Sequence, residues 1–209
     1  MKSLLLLSGG LDSAVCGGLL KRTNHDVTCL TFRYGQNHAI EVEFAERVAR
    51  WLGATEHIIF DLSDFGRYSK SSLTSDPSTI PKGCLSEGVA PTFVPARNLV
   101  FLSIACGIAE SRDIQSVCTG VNAVDYSGYP DCRPEFVEAL RHTVEHGLTK
   151  RVLISTPLIN WSKSQILAKS RELSVPPTLS CYDPQEGGKP CGLCDSCLIR
   201  QNAETLCTE

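Results

Sequence analysis

The stretch Leu4-Leu5-Leu6-Leu7-Ser8-Gly9-Gly10-Leu11-Asp12-Ser13 decides the fold. Four consecutive leucines closed by paired glycines read as a strand buried on both faces, the habit of a parallel sheet. The run is too short for a signal-peptide core or a membrane span, so a cytoplasmic protein is expected. Asp12 to about Lys21 reads as the helix that follows. Glycines let a backbone approach phosphate closely, and the helix N-terminus adds a partial positive charge. The hydroxyls of Ser8 and Ser13 offer further hydrogen bonds. Asp12 either holds a Mg²⁺ or favours the helix dipole. The candidate nucleotide-binding segment is Leu6, Leu7, Ser8, Gly9, Gly10, Leu11, Asp12, Ser13, Ala14, Val15 and Cys16. The chain contains no G-x-x-x-x-G-K-[ST] and no G-x-G-x-x-G, so other phosphate loops are excluded.

Outward from the loop, Val27–Phe32 and His57–Asp61 read as strands. Residues 40–52 form an amphipathic helix, with Ile40, Phe44, Ala45, Val48 and Leu52 on one face and Glu43/Arg47 and Glu46/Arg50 pairs on the other. This alternation predicts right-handed crossovers. Residues 62–92 show no period and are rich in Ser, Thr, Pro and Gly, which predicts a long loop. A helix at about Asn98–Arg112, a strand at Ser116–Thr119, a helix opened by Pro134 and a strand at Val152–Ser155 follow. Ser162-x-x-Gln165 matches a capping box for a helix reaching about Leu173. The expected fold class is α/β, a Rossmann-like parallel sheet with helices on both faces. One domain over 1–209 is expected, with 178–200 as a metal hook.

The net charge of -3 and the scattered lysines and arginines argue against a direct nucleic-acid partner. Cys181, Cys191, Cys194 and Cys197 follow a C-x9-C-x2-C-x2-C spacing. Four thiolates at that spacing close on one tetrahedral Zn²⁺, leaving no open position, so the site is expected to be structural. An iron–sulfur cluster is the alternative. The other seven of the eleven cysteines are scattered and read mostly as small core residues.

Residues 120–136 directly follow a strand and carry Asp125, Asp131 and Glu135 among aromatic residues. Ligands of open parallel sheets bind outside the carboxyl ends of strands, and carboxylates beside aromatics suit a flat heterocycle with N–H donors. A solvated turn before a helix is the alternative.

The S-G-G-x-D-S pattern resembles the PP-loop of the N-type ATP pyrophosphatases, which share the adenine nucleotide alpha hydrolase-like fold. That resemblance implies ATP with Mg²⁺, cleavage between the α- and β-phosphates, and Ser8, Asp12 and Ser13 as the catalytic residues. Nearly end to end, the chain also resembles the 7-cyano-7-deazaguanine synthase family of the queuosine pathway. The match includes Tyr34-Gly35-Gln36 with His38 and Glu41, Val94-Pro95-Ala96-Arg97-Asn98, Gly120 through Phe136, Thr156-Pro157-Leu158-Ile159-Asn160 and the four cysteines. The resemblance implies 7-carboxy-7-deazaguanine and ammonia as substrates, one structural Zn²⁺ per subunit and a homodimer. Candidate substrate residues are Arg97, Asn98, Asn122, Asp125, Tyr126, Tyr129, Asp131, Arg133 and Glu135. Asp131 or Glu135 is expected to grip the guanine-like edge, Tyr126, Tyr129 or Phe136 to stack, and Arg97 to hold a carboxylate or phosphate. His38 suits either proton transfer or a structural hydrogen bond. The family usually has an acidic residue where this chain has Arg33. A tRNA-thiolating or asparagine-type relative would need a basic surface or an ammonia-releasing domain. A scaffold with a dead loop would not keep the full Ser-Gly-Gly-x-Asp-Ser set.

Overall fold

A computed structural model describes residues 1–37, 40–86, 88–124 and 128–206. Five strands, β1 (Lys2–Leu6), β2 (Asp26–Arg33), β3 (Glu56–Asp61), β4 (Ser116–Cys118) and β5 (Leu153–Ser155), form one sheet in the order β3-β2-β1-β4-β5. Every neighbouring pair is parallel. The expected α/β class and its helices on both faces are what the chain adopts.

The leucine run shows why. Successive strand residues point to opposite faces. Leu4 is buried on the side covered by α4 (Arg97–Ser111) and α5 (Pro134–Gly147). Leu5 and Leu7 are buried on the other side, with α1 (Leu11–Arg22), α2 (Ile40–Leu52) and α6 (Lys163–Glu172). Both faces are covered, and the buried strand hydroxyls find partners there: Ser3 pairs with Ser116 at 2.7 Å, and Thr31 donates to Leu7 O at 2.6 Å. The capping box at Ser162 is complete: its hydroxyl accepts from Gln165 N, and the Gln165 side chain accepts from Ser162 N.

Two segments depart from the expectations. Residues 62–92 contain a short helix, α3 (Ser63–Arg67), and are pinned rather than loose. Leu73, Ile80 and Ala90 are buried, and Asn37 N donates to Leu73 O at 3.0 Å. Lys82 pairs as an isolated bridge with Cys194, and Gly83 N donates to Leu193 O at 2.9 Å. Single apolar residues spaced irregularly bury well but leave no period to read. The tail also forms α7 (Asp195–Leu206), which carries Cys197. Among the described residues no helix is long and apolar enough to cross a membrane.

The strand order reverses between β1 and β4. In such sheets the crevice outside the carboxyl ends at the reversal is where ligands sit. The loops leaving β1 and β4 are the glycine loop and the segment from Thr119 onward.

Candidate functional site

Gly9 takes a left-handed φ of +85°, which only glycine adopts cheaply. It turns the chain from β1 into α1, with Gly10 extended at the N-cap. The loop holds its shape through its own hydroxyls. Ser8 N donates to Ser13 Oγ at 3.2 Å, Gly10 N to Ser8 Oγ at 3.2 Å, and the Ser13 hydroxyl to Gly10 O at 3.0 Å. Across the loop, Gly120 packs on the start of α1. A Cβ there would stand 2.9 Å from both Asp12 C and Ser13 N.

A cavity of about 310 Å³ opens at this loop. Of the predicted nucleotide segment, Leu6, Leu7, Ser8, Gly10, Leu11, Asp12 and Ser13 line it. Ala14, Val15 and Cys16 are fully buried in the core instead, so they build the helix rather than the cavity. Asp12 already has a partner. Lys163 Nζ donates to its two carboxylate oxygens at 2.8 and 2.9 Å. A Mg²⁺ on Asp12 would have to share those oxygens with an ammonium. Lys163 escaped the sequence reading, although a signal was present. It is the first residue of a helix, where the dipole disfavours a cation, so it answers to something else.

The far wall is aromatic and cationic. Phe32 and Phe101 stack at 4.1 Å, and Tyr34 meets Phe101 edge-on at 5.4 Å. Arg97 enters from the first position of α4, after Ala96 in a left-handed φ of 59°. Such strain is kept where surrounding structure demands it. The guanidinium lies 5.9 Å from the Tyr34 ring centre and 6.0 Å from that of Tyr129, and it donates to Tyr34 Oη at 3.4 Å. Glu41 also lines the cavity. Burial pushes its carboxyl up to about 7, against the opposing pull of Arg97.

The structure brings Arg97, Asn98, Asn122 and Tyr129 to this cavity. Asn122 is a bracket as well: its amide donates to Leu158 O at 2.7 Å and Trp161 O at 2.6 Å. Asp131 does other work. It is buried off the cavity, and its Oδ2 accepts from Asn98 N at 3.0 Å, capping α4. Arg133 and Glu135 are exposed near the start of α5 and do not line the cavity. Asp131 and Glu135, expected to grip a ring edge, are therefore not among the residues that line this cavity. Phe136 packs partly buried against the core. Asp125, Tyr126 and His38 lie outside the described residues. Replacing Asp131 by alanine strands a helix N–H and should cost about 1–2 kcal/mol. A melting temperature lowered by roughly 2–8 °C in calorimetry checks this; no change would remove the cap from Asp131.

The four cysteines converge behind the loop. Their sulfurs all lie within 4.8 Å of one another, with Cys181 and Cys194 at 4.0 Å. A tetrahedral site with Zn–S near 2.3 Å has sulfur–sulfur edges of about 3.8 Å, so the donor set fits. Backbone N–H groups of Tyr182, Asp183, Cys191, Leu193 and Cys194 point at these sulfurs at 3.2–3.4 Å. Gly192, at a φ of +75°, makes the turn between ligands. The hook also braces the glycine loop: Leu179 N donates to Gly9 O at 3.0 Å, and Leu11 N to Ser180 Oγ at 3.2 Å.

A parallel sheet in this order, with a serine–glycine loop at its reversal and a cavity over it, defines a PP-loop-type α/β protein. Solved structures share the fold. An NMN synthetase from Francisella tularensis aligns with a TM-score of 0.54 at 20% identity, over 91% of this chain and 70% of that one. A 4-thiouridine synthetase solved with RNA and bound ATP aligns with a TM-score of 0.54 at 21% identity, over 98% of this chain and 53% of its own.

The family model described as queuosine biosynthesis protein QueC matches residues 2–206, and the chain belongs to that family. The 7-cyano-7-deazaguanine synthase of Syntrophus aciditrophicus is 47% identical over 96% of this chain and 91% of its own length. That of Geobacter sp. strain M21 is 45% identical over 95% and 91%.

Proposed function

We propose that this protein is an ATP-dependent carbon–nitrogen ligase. It converts 7-carboxy-7-deazaguanine and ammonia to the nitrile 7-cyano-7-deazaguanine. One observation carries the reading: a single cavity joins the Ser8–Ser13 loop at one end to the Tyr34–Arg97–Tyr129 wall at the other. The names of the 41–47% identical relatives support the product.

A carboxylate is a poor electrophile because its leaving group is poor. Adenylation removes that obstacle. The substrate carboxylate attacks the α-phosphorus of ATP, and pyrophosphate leaves into the loop, where Ser8, Ser13 and the α1 N-terminus meet its charge. Ammonia then attacks the activated carbon and AMP departs, giving an amide. A second ATP adenylates the amide oxygen with release of pyrophosphate and one N–H proton; the oxygen then leaves as part of AMP as the second N–H proton is lost, and the nitrile remains. Arg97 orients the acid, since its planar fork matches a carboxylate. Lys163 sits beside the loop with Asp12, ready to exchange that carboxylate for phosphate oxygen. Bound Mg²⁺ would shield the phosphates. The cysteine hook would hold Zn²⁺ for structure.

The test incubates the protein with ATP, Mg²⁺, ammonia and 7-carboxy-7-deazaguanine. Mass spectrometry follows acid, amide and nitrile while the nucleotide product is identified. Nitrile with AMP and pyrophosphate is the expected outcome. An unchanged acid rejects the reaction; ADP and phosphate reject the adenylate.

A further inference from the structure

The cavity holds a carboxylate with no assigned partner. Among the described residues lining it, two are acidic, Asp12 and Glu41. Lys163 occupies Asp12. Glu41, in the first turn of α2, makes no ion pair or hydrogen bond through its carboxylate with the described residues. A carboxylate in a helix first turn is ordinarily stabilised by the dipole. Here burial prevails and drives the group up to about 7. A half-desolvated, unpaired carboxyl in a cleft costs stability and marks a site.

Its surroundings say what the site takes. The Glu41 carbonyl abuts Gly9, where a Cβ would stand 2.5 Å from it, so the first turn of α2 packs against the phosphate loop. Flat aromatic walls, Tyr34, Phe101 and Tyr129, share the cavity. Gln36 is held by the backbone of β2 and the residue after it. Its Oε1 accepts from Tyr34 N at 2.8 Å and its Nε2 donates to Phe32 O at 3.3 Å. The other charged and titratable groups sharing the cavity are Arg97 of α4, Tyr34 after β2, Tyr129, Cys132, Tyr182 and the Asp12–Lys163 pair.

We propose that Glu41 is the specificity-determining residue for the heterocycle, its two oxygens accepting from the ring N–H and the adjacent amino group of a 2-amino-4-oxopyrimidine edge. A carboxylate matches that parallel pair of donors as it matches the fork of an arginine. This assignment rests on the deazaguanine reading of the site. Binding takes place to the deprotonated Glu41, so a proton must leave when ligand binds to the acid form. Affinity therefore rises with pH through about 7 and levels above it.

Calorimetric titration of the whole protein, with a non-hydrolysable ATP analogue present, tests this. The ligands are 7-carboxy-7-deazaguanine and its analogue lacking the 2-amino group. The wild type should bind the parent more tightly, increasingly so from pH 6 to 8. Glu41→Gln should weaken the parent by about 10- to 100-fold, the usual loss for hydrogen bonds to a charged group. It should also flatten the pH dependence and erase most of the discrimination. Folding of the variant is checked by its melting curve. Should it fail to fold, the wild-type pH profile and analogue ratio decide alone. Wild type that binds both ligands equally, with no pH dependence, overturns the proposal. So does a variant that binds and discriminates normally, even one that makes no nitrile. No binding of the acid by the wild type would instead defeat the deazaguanine reading itself.

Discussion

Cys194→Ser is expected to strip the hook of its metal and to lower the melting temperature by about 8–16 °C. Cys194 is fully buried, pairs with Lys82 through the backbone, and sits at the centre of the sulfur cluster. Free zinc-finger peptides gain about 10–16 kcal/mol from structural zinc, because the metal supplies their whole fold. Here most of the sheet and of both cores is built from residues outside the hook, although Cys181, Cys194 and Cys197 join one core. The loss is confined to the tail, α7 and the part of 62–92 that leans on them. A cost of about 4 kcal/mol follows, at roughly 2–4 °C per kcal/mol for a chain of this size. Elemental analysis should read one zinc per chain in the wild type and none in the variant. A brown wild-type protein with visible absorption would replace zinc by an iron–sulfur cluster. ATP binding should weaken as well, since Leu179 and Ser180 hold the backbone of the glycine loop. An unaltered melting curve in a metal-free variant would sink the structural role.

Much of this was legible in the chain. The leucine run, the glycine turn and the capping box each obey a local rule with one solution, and each lies where expected. The cysteine spacing likewise brings four sulfurs together. What was not legible depends on distant residues. Asp131 looked like a ligand for a ring because it stands among aromatics; it faces Asn98, 33 positions away in sequence, and caps α4. Lys163 meets Asp12 across 151 positions. Glu41 was visible only as one letter of a family match. Its distinction is an environment, a cleft in which its carboxylate meets no partner among the described residues, and no local pattern encodes that. Gly120 belongs to the same group. It looks like any loop glycine, yet the backbone of α1 leaves its Cα no room for a side chain.

Gly9→Ala should reduce ATP-dependent turnover by at least two orders of magnitude and also lower stability. Two independent costs arise. A left-handed φ costs a residue with a Cβ about 1–2 kcal/mol. The new methyl would also stand 2.5 Å from Glu41 O and 2.9 Å from Ala45 N. Those two atoms are the acceptor and donor of the first turn of α2, so the methyl is driven into a helical hydrogen bond. Overpacking of this kind adds about 1–3 kcal/mol. Either α2 yields or the loop does. The helix is anchored by Val42, Phe44, Ala45, Val48 and Leu52 in the core, whereas Ser8 is exposed. The loop therefore moves, and with it the N–H groups that must meet phosphate. A displacement of about 1 Å in a positioning element is enough for a hundredfold loss. Gly10→Ala is the internal control. Gly10 has an ordinary extended φ of -81°, and its Cβ would meet Ser8 Oγ and Ser180 Oγ at 3.2 and 3.3 Å, side-chain atoms able to shift. Its melting temperature should stay near that of the wild type, while that of Gly9→Ala falls by about 4–20 °C. Equal behaviour of the two variants would show that the loop does not rest on α2. The coupling matters for Glu41 too: the carbonyl that excludes a side chain at Gly9 belongs to the residue whose carboxylate faces the cavity, so phosphate loop and ring recognition share one backbone contact.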